Sequence, residues 1–204
     1  MPLIVWWLGG VCVVVEALLL ASDLGLLGSP LWRSYAYQNG AFWPGLLGGW
    51  EPNYAAQPLM MFVTYAFLHG GPWHLAGNMI TLLLLGRVLS NLGLRPLLAL
   101  YVISALGGAA LFAAFSTTPQ PMVGASGALF GMVGAWQHRD FARDAASGPG
   151  RWRLAHALGV LVLLNLVLWV AFAGALAWQA HLGGFIAGWL WSSVEQRWQG
   201  RSGQ

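Results

Sequence analysis

The chain has 204 residues, of which 58% are hydrophobic and only 7% charged, against about 25% charged in an ordinary soluble domain. That balance excludes a water-soluble fold, and the length suffices for about six helices of roughly 20 residues, each crossing about 30 Å of hydrocarbon. The formal charge of +3 rests on nine arginines scattered between apolar segments; nucleic acid, which needs a basic stripe or patch, is not an expected partner.

Apolar runs fall at about residues 3–21, 73–92, 96–115, 124–138, 154–173 and 176–194, with Gly, Pro and polar residues between them. In lipid each must be a helix, because exposed strands would leave backbone groups unpaired. The expected fold is therefore an all-α integral membrane bundle of six transmembrane helices, forming a single domain over residues 1–204. The first run lacks a basic leader, so it is expected to be a retained helix rather than a cleaved signal peptide. It carries Cys12 between Val11 and Val13, where a small packing residue is expected. It also carries Glu16, in the outer half of the bilayer, where a structural role is expected, protonated or hydrogen-bonded within the bundle.

The arginines orient the bundle. Arg87 and Arg95 flank the second link, Arg139, Arg143, Arg151 and Arg153 the fourth, and Arg197 and Arg201 the tail, while Arg33 lies on the other side. The positive-inside rule then makes both termini cytoplasmic. The link from about 28 to 72 faces outward and is rich in aromatics, including Trp32, Trp43, Trp50 and Tyr54, so it is expected to lie on or dip into the outer interface.

Polar residues inside a bilayer are costly and usually functional or paired. Here they share a leaflet: His74 and Asn78 start the second apolar segment, Ser126 the fourth, and His181 lies one to two turns into the sixth. Each falls within roughly 10 Å of the outer boundary. Gly124 to His138 spans only about 22 Å as a helix, so its start is expected to be recessed, with Gly124-Ala125-Ser126-Gly127 lining a wet cavity. Gly127 and Gly131 form one GxxxG and Gly184 and Gly188 another, small faces that let two helix backbones approach closely. Ser126 and His181 would then come within hydrogen-bond reach, the arrangement of a nucleophile and its general base. The Ser126 amide at a helix N-terminus, with His74 and Asn78 one turn apart on one face, would supply donors to an oxyanion.

This pattern resembles the rhomboid family of intramembrane serine proteases over about residues 59–192. The segment from Gly124 to Gly131 is similar to the family's GxSG nucleophile site. Ala180-His181-Leu182-Gly183-Gly184 is similar to its general-base segment, and His69 to Asn78 resembles the segment whose HxxxN supplies oxyanion donors. The resemblance implies Ser126 as nucleophile and His181 as base in a dyad, with His74, Asn78 and the Ser126 amide on the oxyanion. It implies an aromatic ring, Phe130, beneath His181, and a supporting role for His69 beside Gly124 and Gly127. Where the family often has Trp-Arg in the first loop this chain has Met60-Met61, and Phe130 stands for the more usual tyrosine, so loop anchoring is expected to differ. The fifth helix and the loop before the sixth would form a lateral gate.

The expected activity is that of a serine endopeptidase cutting single-span or C-terminally anchored membrane proteins through an acyl-enzyme, without cofactor or metal. The alternatives are a catalytically silent relative that binds membrane clients, or a small transporter. A specialised sorting peptidase and a housekeeping protease are not separated by the sequence. His138 and His156 are expected to be hydrated at cytoplasmic helix ends, Trp178 and Gln179 to be interfacial, and Asn165 to make an interhelical hydrogen bond. The expected location is a prokaryotic inner membrane, with the site opening to the outer side.

Overall fold

A computed structural model of the chain describes residues 1–116, 119–144, 150–171 and 176–202. Among these it has eight α-helices: α1 (Leu3–Asp23), α2 (Trp32–Gly40), α3 (Gln57–Thr64), α4 (Pro72–Val88), α5 (Leu94–Phe115), α6 (Ser126–Asp144), α7 (Gly150–Ala171) and α8 (Trp178–Ser202). The greater part of each of the six apolar runs lies on a helix, α1 and α4 to α8, and the two extra helices, α2 and α3, fold the long first link. Residues 172–175, the end of the fifth run and most of the loop expected to gate the site, lie outside the described residues. α1, α5 and the Arg151–Val170 stretch of α7 are long and apolar enough to cross a membrane. α6 runs past His138 through Arg139, Asp140 and Arg143 to Asp144. It is therefore about 28 Å long rather than 22 Å, and the added turns are charged.

The centre of the bundle is α6, which presents no fully exposed side chain between Ser126 and Asp140. α5 and α8 pack on it at backbone distance. A Cβ added at Gly184 would lie 1.9 Å from the Gly127 carbonyl oxygen, and one at Gly188 would lie 1.9 Å from that of Gly131. The paired small faces thus meet as their spacing predicts. α5 joins through Gly107 and Gly108, where added Cβ atoms would meet Ala187 at 2.4 Å and the Ala180 carbonyl at 2.9 Å.

α1 buries one stripe, Ile4, Val5, Leu8, Cys12, Glu16, Leu19 and Ser22, the three-to-four spacing of a helix seated on a neighbour. That neighbour is α4, where Gly86 admits Val5. Cys12 is fully buried, as a packing residue should be. α7 is the opposite case: none of its spanning stretch is buried, and it touches the bundle along one half-buried line, Leu154, Ala157, Leu161, Asn165 and Leu168.

The first link is anchored by charge as well as by packing. Arg33 on α2 donates to Glu16 through both terminal nitrogens, at 2.9 and 3.1 Å, to Asp23 through Nε at 2.7 Å, and to the His69 carbonyl at 3.1 Å. Every arm of the guanidinium fork is used, the geometry in which Arg pairs best with carboxylate. Glu16 is therefore held by an ion pair, and its partner is Arg33 on α2 in the first link. Tyr37 reinforces the anchor by donating to the same His69 carbonyl at 2.6 Å, and burial raises its pKa, keeping the hydroxyl a donor. Downstream, Phe42 and Met122 exchange backbone hydrogen bonds at 2.9 Å in each direction. The Phe42 ring meanwhile packs edge-on against Phe62, Tyr65 and Phe112. At the position of the missing Trp-Arg pair, Met61 is fully buried while Met60 faces outward.

Removing one partner of a buried ion pair strands the other. Arg33→Ala is expected to destabilise the protein by about 3 kcal/mol; the double variant Arg33→Met with Glu16→Gln should recover most of that loss, as read by thermal unfolding in a mild detergent.

Candidate active site

Ser126 is the first residue of α6, and the helical ladder there begins with the Leu129 amide donating to the Ala125 carbonyl at 3.0 Å. The amides ahead of Leu129 therefore open at the helix mouth, where the dipole is positive. The chain reaches this point through Gly124, whose φ is +122° and whose amide donates to the Tyr65 carbonyl at 3.0 Å. A Cβ at Gly124 would lie 2.8 Å from both Cε1 and Nε2 of His74 and 3.8 Å from Ser126 Oγ. Glycine is needed twice here, for the backbone angle and for the close approach of an imidazole.

His181, one turn into α8, is 4% exposed and its Nε2 lies 2.9 Å from Ser126 Oγ. Phe130, one turn along α6 from Ser126, stacks on the imidazole with ring centroids 4.1 Å apart and planes 6° from parallel. The contact holds the ring flat against α6 without engaging either nitrogen. The opposite edge is held from α7, where Asn165 Oδ1 lies 2.6 Å from His181 Nδ1.

His74 stands on the other side of the serine. Its Nδ1 accepts from the Gly70 amide at 3.2 Å, so in the neutral imidazole the proton is on Nε2, the atom that abuts Gly124 beside Ser126. His69 is fully buried and packs its ring edge-on against His74, centroids 5.3 Å apart. Asn78 sits one turn deeper and donates to the His74 carbonyl at 3.0 Å. That bond steadies the first turn of α4, and Asn78 is not among the residues that border the cavity above Ser126.

That cavity has a volume of about 430 Å³ and is bordered by His74, Gln120, Ser126, Trp178, Gln179 and His181 among others. Trp178 and Gln179, expected to be merely interfacial, thus form part of its wall. A second, almost wholly apolar cavity of about 550 Å³ lies between α6, α7 and α8. The two meet at Trp169, Trp178 and His181. At the far end of the bundle His138 lies 3.2 Å from Ser192 Oγ and edge-on to Trp189, so hydration alone does not account for it.

Comparison with known proteins covers the stretch of chain that holds these residues. The model of the Rhomboid domain matches residues 56–197. The chain belongs to the rhomboid family. Among curated rhomboid relatives, RHOMBOID-like protein 5 of Arabidopsis thaliana is 36% identical over 130 residues, covering 63% of this chain and 41% of the relative. RHOMBOID-like protein 4 of the same plant is 37% identical over 131 residues, 61% of this chain and 31% of the relative. The mitochondrial Rhomboid protein 1 of Saccharomyces cerevisiae is 30% identical over 148 residues, 62% of this chain and 39% of the relative. The chain spans less than half the length of these rhomboid relatives, all of them eukaryotic. Rhomboid membership and the apolar helices together make this an integral membrane protein.

Asn165 is the site residue that sequence reasoning did not assign. Its interhelical hydrogen bond was expected, but not its partner. It lies six residues from the C-terminal end of α7, about 9 Å, within about one turn of the level of His181 in α8; that match in depth was the available signal.

The separation between α6 and α8 is fixed by backbone contact, so it tolerates no added methyl. Gly184→Ala is expected to destabilise by about 2 kcal/mol or more through overpacking against Gly127. Gly159→Ala on α7, where nothing lies within 4 Å, should be neutral or stabilising by up to about 1 kcal/mol. Parallel thermal unfolding of the two variants checks the contrast.

Proposed function

We propose that this protein is an intramembrane serine endopeptidase that cleaves single-span or C-terminally anchored membrane proteins by an acyl-enzyme route. The observation that carries the reading is the 2.9 Å contact between Ser126 Oγ and His181 Nε2 across two helices, within reach for proton transfer. On this reading six helices, α1 and α4 to α8, cross the bilayer with both termini cytoplasmic, and the site opens to the outer side.

Ser126 Oγ attacks the scissile carbonyl carbon as its proton passes to His181 Nε2. The carbonyl oxygen gains the negative charge and receives hydrogen bonds from His74 Nε2–H and the Ser126 amide, aided by the positive end of α6. Collapse of the tetrahedral intermediate breaks the C–N bond, and the His181 proton leaves on the amine, giving an ester on Ser126. Water, deprotonated by the same Nε2, then hydrolyses the ester and restores the serine. Asn78 contributes through His74, whose carbonyl it holds, and Phe130 and Asn165 keep the imidazole in plane. The apolar second cavity suits an extended segment of a substrate arriving from lipid, and the wetter first cavity suits the water that hydrolysis consumes.

Labelling of the detergent-solubilised protein with a fluorescent fluorophosphonate tests the nucleophile. Ser126→Ala and His181→Ala are each expected to lose labelling by about 10⁴-fold or more; full labelling of Ser126→Ala would sink the proposal. His74→Ala should slow cleavage of a membrane-embedded reporter by about 100- to 1,000-fold, the cost of one oxyanion donor, with its unfolding temperature little changed.

A further inference from the structure

α7 meets the rest of the bundle along one line of half-buried residues, and among the described residues Asn165 is the only polar side chain on it. Its amide is not free to turn. Nδ2 donates to the Leu161 carbonyl at 2.9 Å, and a carbonyl oxygen can only accept, so the atom facing His181 Nδ1 at 2.6 Å must be Oδ1. Oδ1 likewise can only accept, which puts a proton on Nδ1 and leaves the lone pair of Nε2 directed at Ser126 Oγ, 2.9 Å away. A backbone carbonyl on α7 thereby selects the imidazole tautomer two hydrogen bonds away.

We propose that Asn165 is a positioning residue for the reaction: it fixes His181 as the Nδ1–H tautomer and so ties the basicity of Nε2 to the seating of α7. The inference rests on the proposed roles of Ser126 and His181. An amide free to rotate would present its NH2 to the ring as easily as its oxygen, placing the proton on Nε2 and removing the base; the bond to Leu161 excludes that orientation. When His181 takes the serine proton, the Nδ1–H bond to Oδ1 becomes charge-assisted and shortens in character, so the contact is worth more in the transition state than in the resting protein. Phe130 cannot perform this task because it meets the face of the ring, not its edge.

The test is the kinetics of fluorophosphonate inactivation of the full chain in lipid vesicles, resolved into the maximal rate kinact and the half-saturation constant KI. Asn165→Leu, which keeps the shape and removes the acceptor, is expected to lower kinact by about 10- to 100-fold with KI unchanged. Asn165→Asp should restore kinact to within about threefold of wild type. An ionised carboxylate accepts from Nδ1, and a protonated one donates to Leu161 while its carbonyl accepts. An unchanged kinact in Asn165→Leu overturns the proposal. So does an equal loss in the Leu and Asp variants at unaltered unfolding temperature, which would reduce Asn165 to a packing residue. Failure of the folded wild type to label strikes instead at Ser126 and His181, and the inference falls with them.

Discussion

The separation of α6 from α8 governs what the rest of the molecule can do. Two long helices ordinarily pack 8 to 10 Å apart, at a distance set by their side chains. Here there are none at the crossing, and the Gly127 and Gly131 carbonyls stand where Cβ atoms of Gly184 and Gly188 would be. Ser126 and His181 project from one end of that seam, so their 2.9 Å contact follows from backbone on backbone. In lipid no hydrophobic driving force separates one apolar surface from another, and close packing of this kind is the main source of helix adhesion. The same contacts that hold the fold therefore set the reach of the site.

Two histidines flank the serine with opposite polarity, and in each case the main chain decides which. The Gly70 amide, a donor, makes Nδ1 of His74 an acceptor and Nε2 a donor. The Leu161 carbonyl, an acceptor, works through Asn165 to give His181 the reverse assignment. On the proposed function, one ring is thus prepared to stabilise negative charge and the other to take a proton. This preorganisation needs no ionised partner, an advantage where an isolated carboxylate would be costly to bury. Among the described residues the deeply buried carboxylate is Glu16, which is committed to Arg33 and ties the first link to α1.

The helices and the principal pair were legible from the sequence because their determinants are local. Apolar runs define the helices, arginines gather towards one end, and the GxSG and HxxxN spacings put the candidate residues at helix starts. What escaped depended on contacts between distant segments. The Arg33 fork joins α2 to α1 and to the His69 carbonyl, three places that no periodicity relates. The Phe42–Met122 bridge pairs residues from two links that each read as irregular. Gly107 and Gly108, adjacent rather than four apart, do not form the small-residue repeat that draws notice, yet they admit α8 as closely as Gly131 does. Asn165 was visible as a polar residue in an apolar helix; its partner depended on the rotation of α7, which the sequence of a helix exposed on nearly every face scarcely constrains.

That weak constraint reaches beyond the chain. α7 offers mostly Leu, Val and Trp outward, among them Val162, Leu163, Leu166, Val167 and Val170, and contributes no buried residue across its span. In a membrane that face meets acyl chains, and only the other is held by protein. Lipid thickness, chain order and detergent substitution all act on the helix that carries Asn165. On the proposed function, the seating of the dyad is then shared between the protein and its annulus of lipid.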